Sequence, residues 1–167
     1  MATKNKISIG TNTVEEQKNL GYLYDLLVIV LCLAGVGIAG YLSYTRLFAK
    51  AIICVEGGGC DTVNNSQYAL LLGIPVSFLG FATYIVLAGL AMTRWLMARR
   101  NNTSLTYKLD WTLFIISLGS LVFSGYLMSM SFFVIKATCI WCLSSAGIIT
   151  VLFILLAIRL WRSVEEI

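Results

Sequence analysis

The chain has 167 residues with a formal net charge of +4; 59% of its residues are hydrophobic and only 12% are charged. This composition, with a mean hydropathy of +0.86, excludes an ordinary soluble domain and indicates a polytopic membrane protein with one domain. The chain contains no histidine, which removes the commonest general base and metal ligand and leaves cysteine as the obvious carrier of chemistry.

The chain begins with a polar segment, residues 1–19, which we predict to be a cytoplasmic tail. No apolar segment begins near the start, so we expect no cleaved signal peptide. Twenty uncharged residues lie between Asp25 and Arg46, which is enough to cross a bilayer as one helix. We place the first span at about residues 24–45 and assign residues 20–163 to one membrane domain.

Three further apolar segments predict three further spans. The next uncharged run is too long for one upright helix and begins with polar residues, so we place the second span at about residues 74–97. Pro75 then lies in its first turn, where the missing N–H of proline costs nothing. The third and fourth spans are predicted at about residues 110–134 and 137–160. The sequence therefore predicts an all-α fold, a polytopic membrane four-helix bundle with a long loop at residues 46–73.

Small residues within two of the spans predict close helix contacts. The first span contains a glycine-rich stretch at residues 35–40, and the third contains small residues four apart, including Gly125 and Ser129. Small residues at this spacing let helix backbones approach each other closely in lipid.

The basic residues indicate the orientation in the membrane. Short loops rich in lysine and arginine stay in the cytoplasm. Of the 12 basic residues, nine fall on one side: Lys4, Lys6, Lys18, Arg94, Arg99, Arg100, Lys108, Arg159 and Arg162. We therefore predict that both termini are cytoplasmic, and that the loop at residues 46–73 faces outward, to the periplasm or to a lumen. Such a compartment oxidises thiols, and we predict a bacterial inner membrane or a thylakoid-type membrane.

The fourth span begins with Cys139 and Cys142, a C-x-x-C pair preceded by Lys136. Read as a helix, this segment places both sulfurs in its first turn, where free backbone N–H groups and the helix dipole favour thiolate over thiol. Because the thiolate is the form that attacks disulfides, the spacing predicts a redox-active pair at the membrane surface.

Cys54 and Cys60 form a second pair in the outward loop, separated by five residues that include three successive glycines. These glycines let the short ring open and reorient, and a disulfide between such close neighbours would constrain little of the unfolded chain. We therefore predict a relay in which this outer pair moves and the pair at Cys139 stays in place. Polar residues follow Cys60 and apolar residues precede Cys54, so we expect Cys60 to meet a water-borne partner and Cys54 to turn toward Cys139.

Other interpretations of the cysteines remain open. In the main alternative, the chain is a structural or transport bundle whose two pairs are only structural disulfides. A zinc site made of four cysteines is disfavoured by the spacing of Cys54 and Cys60 and by an oxidising compartment, so we expect no metal. Cys32, in the middle of the first span, is expected to be a packing residue. We expect membrane lipid, but no nucleic acid, among the partners.

Aromatic residues crowd the outer ends of the last three spans. They form either an interfacial belt, as in many membrane proteins, or a slot for a flat, lipid-borne ring beside Cys142. These residues are Phe78, Phe81, Phe132, Phe133 and Trp141.

Together, these motifs resemble the vitamin K epoxide reductase family in its bacterial form. The resemblance rests on Cys54-x5-Cys60, on Ser66, on Ile74-Pro75 opening the second span, and on Cys139-Ile-Trp-Cys142 heading the fourth. It implies a membrane thiol–quinone oxidoreductase that generates disulfides, with Cys139 and Cys142 as the active pair and Cys142 nearest the quinone. It also implies that Cys54 and Cys60 are the shuttle pair, and that Ser66 lies in a short half-helix that caps the pocket.

The resemblance implies a cofactor and a partner as well. The cofactor would be a quinone (ubiquinone, menaquinone or phylloquinone), and the electron donor a thioredoxin-like protein in the periplasm or lumen. Many bacterial members continue into a thioredoxin-like domain, whereas this sequence ends at Ile167, so we expect the donor to be a separate chain or a removed C-terminal domain. Animal members carry a tyrosine four residues after the second active-site cysteine. Here that residue is Ala146, so epoxide chemistry is not implied.

Overall fold

The structure, a computed structural model, describes residues 2–48, 53, 59–64, 69–71, 73–100, 102–137 and 139–165. Its elements are α1 (Ala2–Leu47), α2 (Cys60–Asn64), the short strands β1 (Leu70–Leu71) and β2 (Ile74–Pro75), α3 (Val76–Arg99), α4 (Thr103–Met130), a π-helical turn (Ser131–Ile135) and α5 (Ile140–Glu165). Within the described residues, four segments are long and apolar enough to cross a membrane: Gly21–Leu47, Val76–Arg99, Ser104–Ile135 and Ile140–Arg162. The predicted four-helix membrane bundle is confirmed, and the protein is an integral membrane protein.

Two helices begin at positions other than those expected. Residues 2–20, which include most of the polar segment predicted as a tail, continue α1 as helix. The second span begins as a helix at Val76, so Pro75 is its N-cap residue, with φ −59° and ψ 130°, and does not lie in its first turn. Because proline has no N–H, it leaves one fewer backbone donor to satisfy at this helix start.

A short hairpin joins the loop to α3. Leu70 lies opposite Pro75 and Leu71 opposite Ile74 in an antiparallel pair. Gly73 turns the chain between the two strands with φ at 84°, a left-handed conformation that residues with a Cβ rarely adopt. The hairpin therefore sets where α3 begins.

Close contact between α1 and α3 depends on the glycines of α1. A Cβ atom added at Gly35 would lie 2.3 Å from the ring of Tyr84, and one at Gly40 would lie 3.2 Å from the ring of Phe81. The close approach predicted for the first span is therefore confirmed. In α4 the corresponding expectation is wrong for Gly125, where a Cβ would meet nothing within 4 Å among the described residues.

Replacing Gly35 with alanine is expected to lower the free energy of unfolding by about 1–3 kcal/mol. The ring of Tyr84 cannot easily move away, because it is buried and its hydroxyl donates to the Ser145 carbonyl over 2.9 Å. The control is Gly37→Ala, whose Cβ would meet no described residue within 4 Å and which should be neutral or stabilising. Thermal unfolding in detergent measures both variants. Equal stabilities would mean that α1 and α3 lie farther apart.

One charged residue from each span forms a buried ion cluster at the end of the bundle opposite Cys139. Asp25 of α1 accepts from Nη1 of Arg94 of α3 over 2.6 Å and from Nη1 of Arg159 of α5 over 2.5 Å. Asp110 of α4 is bound by Nε of Arg94, and Nε of Arg159 lies 3.7 Å from it. The cluster holds two acids and two bases, so it is neutral and ties all four spans together.

Candidate functional site

Cys139 and Cys142 lie at the start of α5, which begins at Ile140. The carbonyl of Cys139 accepts from the N–H of Leu143 over 2.9 Å, and its sulfur accepts from the N–H of Cys142 over 3.3 Å. Cys139 thus takes the N-cap position, where its sulfur fills the role of a capping oxygen. The expectation that both sulfurs lie in the first turn is corrected by one residue, since only Cys142 is within the helix.

Cys139 shares a small buried cluster with Cys60. The cluster consists of Leu42, Cys60, Val63 and Cys139. Cys60, the first residue of α2, is 1% exposed and disulfide-bonded, whereas Cys142 is a free thiol. We expected Cys60 to meet a water-borne partner, but its burial closes that access in this state.

Gly59 allows α2 to pack against the segment that leads into α5. A Cβ added at Gly59 would lie 2.5 Å from the Cβ of Ala137, so no larger residue fits without displacement. The Gly59 carbonyl accepts from the N–H of Val63 over 2.9 Å, which begins α2. Two of the predicted site residues, Cys54 and Ser66, lie outside the described residues.

Ile53 is held between two aromatic side chains. Its N–H donates to the hydroxyl of Tyr41 over 3.1 Å, and its carbonyl accepts from Nε1 of Trp141 over 2.9 Å. The ring centroids of Tyr41 and Trp141 lie 4.9 Å apart. Tyr41 therefore fixes Ile53, the residue before Cys54, to α1, and Trp141, between Cys139 and Cys142, fixes it to α5. Sequence reasoning missed Tyr41, which carries no signal that separates it from other aromatic residues of the first span.

A cavity of about 450 Å³ lies among the four spans. Among the described residues, Cys142 is the cysteine that lines this cavity. Ala146, one turn further along α5, also lines it, so a tyrosine at this position would project into the cavity. Most of the remaining wall is apolar and includes Ala39, Leu42, Val63, Val76, Ile116, Phe123, Leu127 and Ile149.

The five aromatic residues predicted to form a quinone slot do not line this cavity. Phe132 and Phe133, in the π-helical turn, are exposed, Phe133 to 81%. Phe81 packs on α1, and Phe78 is half-buried beside it on α3. Trp141 is engaged with the loop instead. Of the predicted site residues, the structure brings together Cys60, Cys139, Cys142 and Trp141.

Comparison with known proteins identifies a family for most of the chain and a relative for part of it. Residues 26–157 match the family model described as the vitamin K epoxide reductase family. The chain is also 38% identical over 52 residues to the thiol-disulfide oxidoreductase LTO1 of Arabidopsis thaliana. That match covers 30% of this chain and 14% of the plant protein, so it concerns a small part of the relative.

Proposed function

The chain belongs to the vitamin K epoxide reductase family, and we propose that it is a membrane thiol–quinone oxidoreductase that generates disulfides. Electrons would enter from a thioredoxin-like partner at Cys54 and Cys60, pass to Cys139 and Cys142, and leave to a quinone. One observation carries the proposal. Cys139 and the disulfide-bonded Cys60 share one buried cluster, and the free thiol of Cys142, one turn along α5, lines a cavity.

The steps before the last are thiol–disulfide exchanges. In each, a thiolate attacks one sulfur of a disulfide and the other sulfur leaves. We propose that Cys60 is bonded to Cys54. This disulfide takes two electrons from the partner's dithiol, and the reduced pair of Cys54 and Cys60 then reduces the Cys139–Cys142 disulfide. Because Cys60 and Cys139 are buried in the same apolar cluster, exchange between them needs no path through solvent.

The cavity suits the acceptor of the last step. Its volume of about 450 Å³ falls within the range of small-molecule sites, and its largely apolar wall suits a flat ring. When bound, a quinone would accept two electrons and two protons. The side chain of Cys142 lies on the wall that such a ring would contact, and Cys139, whose sulfur contacts the Cys142 N–H, would close the disulfide. Ubiquinone, menaquinone and phylloquinone all fit this description.

The experiment that tests the proposal is quinone reduction by the purified protein, supplied with a reduced thioredoxin-like donor. We expect one quinone to be reduced for each disulfide formed in the donor, since both are two-electron changes. In sealed membrane vesicles, the donor should act from the periplasmic or lumenal side, as the nine basic residues on the other side predict. Donor oxidation only from the cytoplasmic side would reverse the proposed orientation.

The alternative is a structural or transport bundle whose cysteine pairs are only structural disulfides. It predicts that the same assay shows no quinone reduction and no reaction of the thiols with the donor. Cys142 is a free thiol on the cavity wall, and this favours the relay, since a structural disulfide would leave no thiol at Cys142.

The burial of Cys60 leads to a prediction about the order of exchange that differs from the sequence-based one. Because Cys60 lies with Cys139 in the cluster, Cys54→Ala should leave a thiol there that forms a Cys60–Cys139 bridge on oxidation. In Cys60→Ala, the remaining outer cysteine, Cys54, should form a bridge to Cys139 much more slowly. Non-reducing electrophoresis and mass spectrometry of both variants, expressed with a thioredoxin-like donor, measure the bridges. If Cys54→Ala instead traps the donor at Cys60, the sequence-based order is correct and Cys60 must leave its buried position.

A further inference from the structure

The cavity wall contains a buried hydroxyl without a hydrogen-bond partner. Among the described residues, the side-chain oxygens of Ser43 and Ser77 are buried and unpaired. Of these two, Ser77 lines the cavity, and it is only 8% exposed. Buried hydroxyls are normally paired, because an unmade hydrogen bond costs free energy. Ser77 therefore offers a donor to a molecule that fills the cavity.

The position of Ser77 in α3 explains why its hydroxyl is unpaired. Hydroxyls within helices usually donate to a carbonyl three or four residues earlier. Thr83 and Ser120, which also line the cavity, each do so over 2.8 Å. Ser77 is the second residue of α3, and the residue four positions earlier is Gly73, in the turn before the helix. No carbonyl of the same helix is available to it.

The start of α3 adds a second favourable feature at the same end of the cavity. Pro75 caps the helix without a side-chain hydrogen bond, and Val76 and Gly80 line the cavity beside Ser77. The first turn of a helix carries free N–H groups and the positive end of the helix dipole. An oxygen atom with partial negative charge is therefore the group that this end of the cavity suits best.

We propose that Ser77, supported by the start of α3, donates a hydrogen bond to a carbonyl oxygen of the quinone. The proposal rests on the proposed quinone function and assigns one of its binding residues. When the dithiol of Cys139 and Cys142 forms its disulfide bond, it gives up two electrons and two protons. The quinone ring would take up both the electrons and the protons. Ser77 keeps its own proton. Its hydrogen bond strengthens as negative charge develops on the oxygen.

Equilibrium binding tests this role with a matched control. The probe is 2,3-dimethyl-1,4-naphthoquinone, which has no free quinone-ring position for thiol addition, and its binding is followed by quenching of tryptophan fluorescence. Loss of one hydrogen bond should raise Kd about tenfold in Ser77→Ala. Ser77→Thr keeps the hydroxyl and should recover most of the affinity. Ser43→Ala removes the other unpaired hydroxyl, which does not line the cavity, and should leave Kd unchanged.

The infrared spectrum of the bound probe, carbon-13-labelled at its carbonyls, tests the hydrogen bond itself. We expect one carbonyl band of the probe bound to the wild-type protein to lie below its frequency in detergent, and to return to that frequency in Ser77→Ala. The unfolding temperature without probe should be the same or higher in Ser77→Ala, since an unpaired hydroxyl is removed.

The outcomes separate this inference from the proposed function. An unshifted carbonyl spectrum in the wild-type protein, or an unchanged Kd in Ser77→Ala, would overturn the role of Ser77 while leaving quinone binding intact. A wild-type protein that binds no naphthoquinone or ubiquinone analogue would overturn the proposed quinone function, and the role of Ser77 with it.

Discussion

Replacing Cys142 with alanine is expected to lower donor-dependent quinone reduction by at least about 1000-fold. Cys142 is the cysteine on the cavity wall among the described residues, so its loss removes the sulfur that can reach an acceptor there. Cys139 alone cannot form the internal disulfide that completes the two-electron step. Exchange between the outer pair and Cys139 does not need Cys142, so a bridge between Cys139 and the outer pair should accumulate. Quinone assays and non-reducing electrophoresis measure the two effects.

Cys32 provides the matched control for this prediction. It is also a free thiol, but it is buried in the main apolar core, on α1. Cys32→Ala should cost about 1 kcal/mol of unfolding free energy through the small cavity left behind, and turnover should stay within about twofold. Full turnover in Cys142→Ala would contradict the assignment of Cys142 as the exit for electrons. A comparable loss in both variants would point to a folding defect.

The bundle could be predicted from the sequence because charge is rare in it. Uncharged runs long enough to cross a bilayer mark spans almost without ambiguity. One end of each run is marked by a charged residue: Asp25, Arg94, Asp110 or Arg159. The sequence does not show that these four residues meet. Each is distant from the others along the chain, and only the antiparallel arrangement of the spans brings them to one end of the bundle.

The head of the fourth span could be predicted to within one residue, because two cysteines three apart must lie on one side of a helix start. The cavity wall could not be predicted. In a membrane helix the faces toward lipid and toward the interior are both apolar. Phe123 and Phe133 lie in the same span, yet Phe123 lines the cavity and Phe133 is 81% exposed.

The burial of Cys60 could not be predicted from the sequence for a related reason. The polar residues after it favour contact with a water-borne partner, but α2 is a helix and therefore has two faces. Cys60 and Val63, three residues apart, turn inward together, while Thr62 faces outward. A helix of five residues is too short for hydrophobic periodicity to reveal it in the sequence.

Replacing Arg94 with glutamine is expected to lower the free energy of unfolding by about 3–5 kcal/mol. Arg94 donates to Asp25 over 2.6 Å and also binds Asp110, and all three side chains are buried. Without it, Arg159 alone faces two carboxylates, and the cluster retains an uncompensated negative charge away from water. For a chain of this length, the loss corresponds to a fall in unfolding temperature of roughly 6–20 °C, measured by thermal unfolding in detergent.

Two further variants separate the effect of charge from that of a lost hydrogen bond. Arg100, at the C-terminal cap of α3, is exposed, so Arg100→Gln should change the unfolding free energy by no more than about 0.5 kcal/mol. The double variant Arg94→Met/Asp110→Leu removes one charge of each sign and leaves Arg159 paired with Asp25 at 2.5 Å. Because this cluster is again neutral, the double variant should be more stable than Arg94→Gln, although it has lost more hydrogen bonds. If its destabilisation equals the sum of those of Arg94→Met and Asp110→Leu, the two residues are not coupled, and charge balance is not what holds this end of the bundle together.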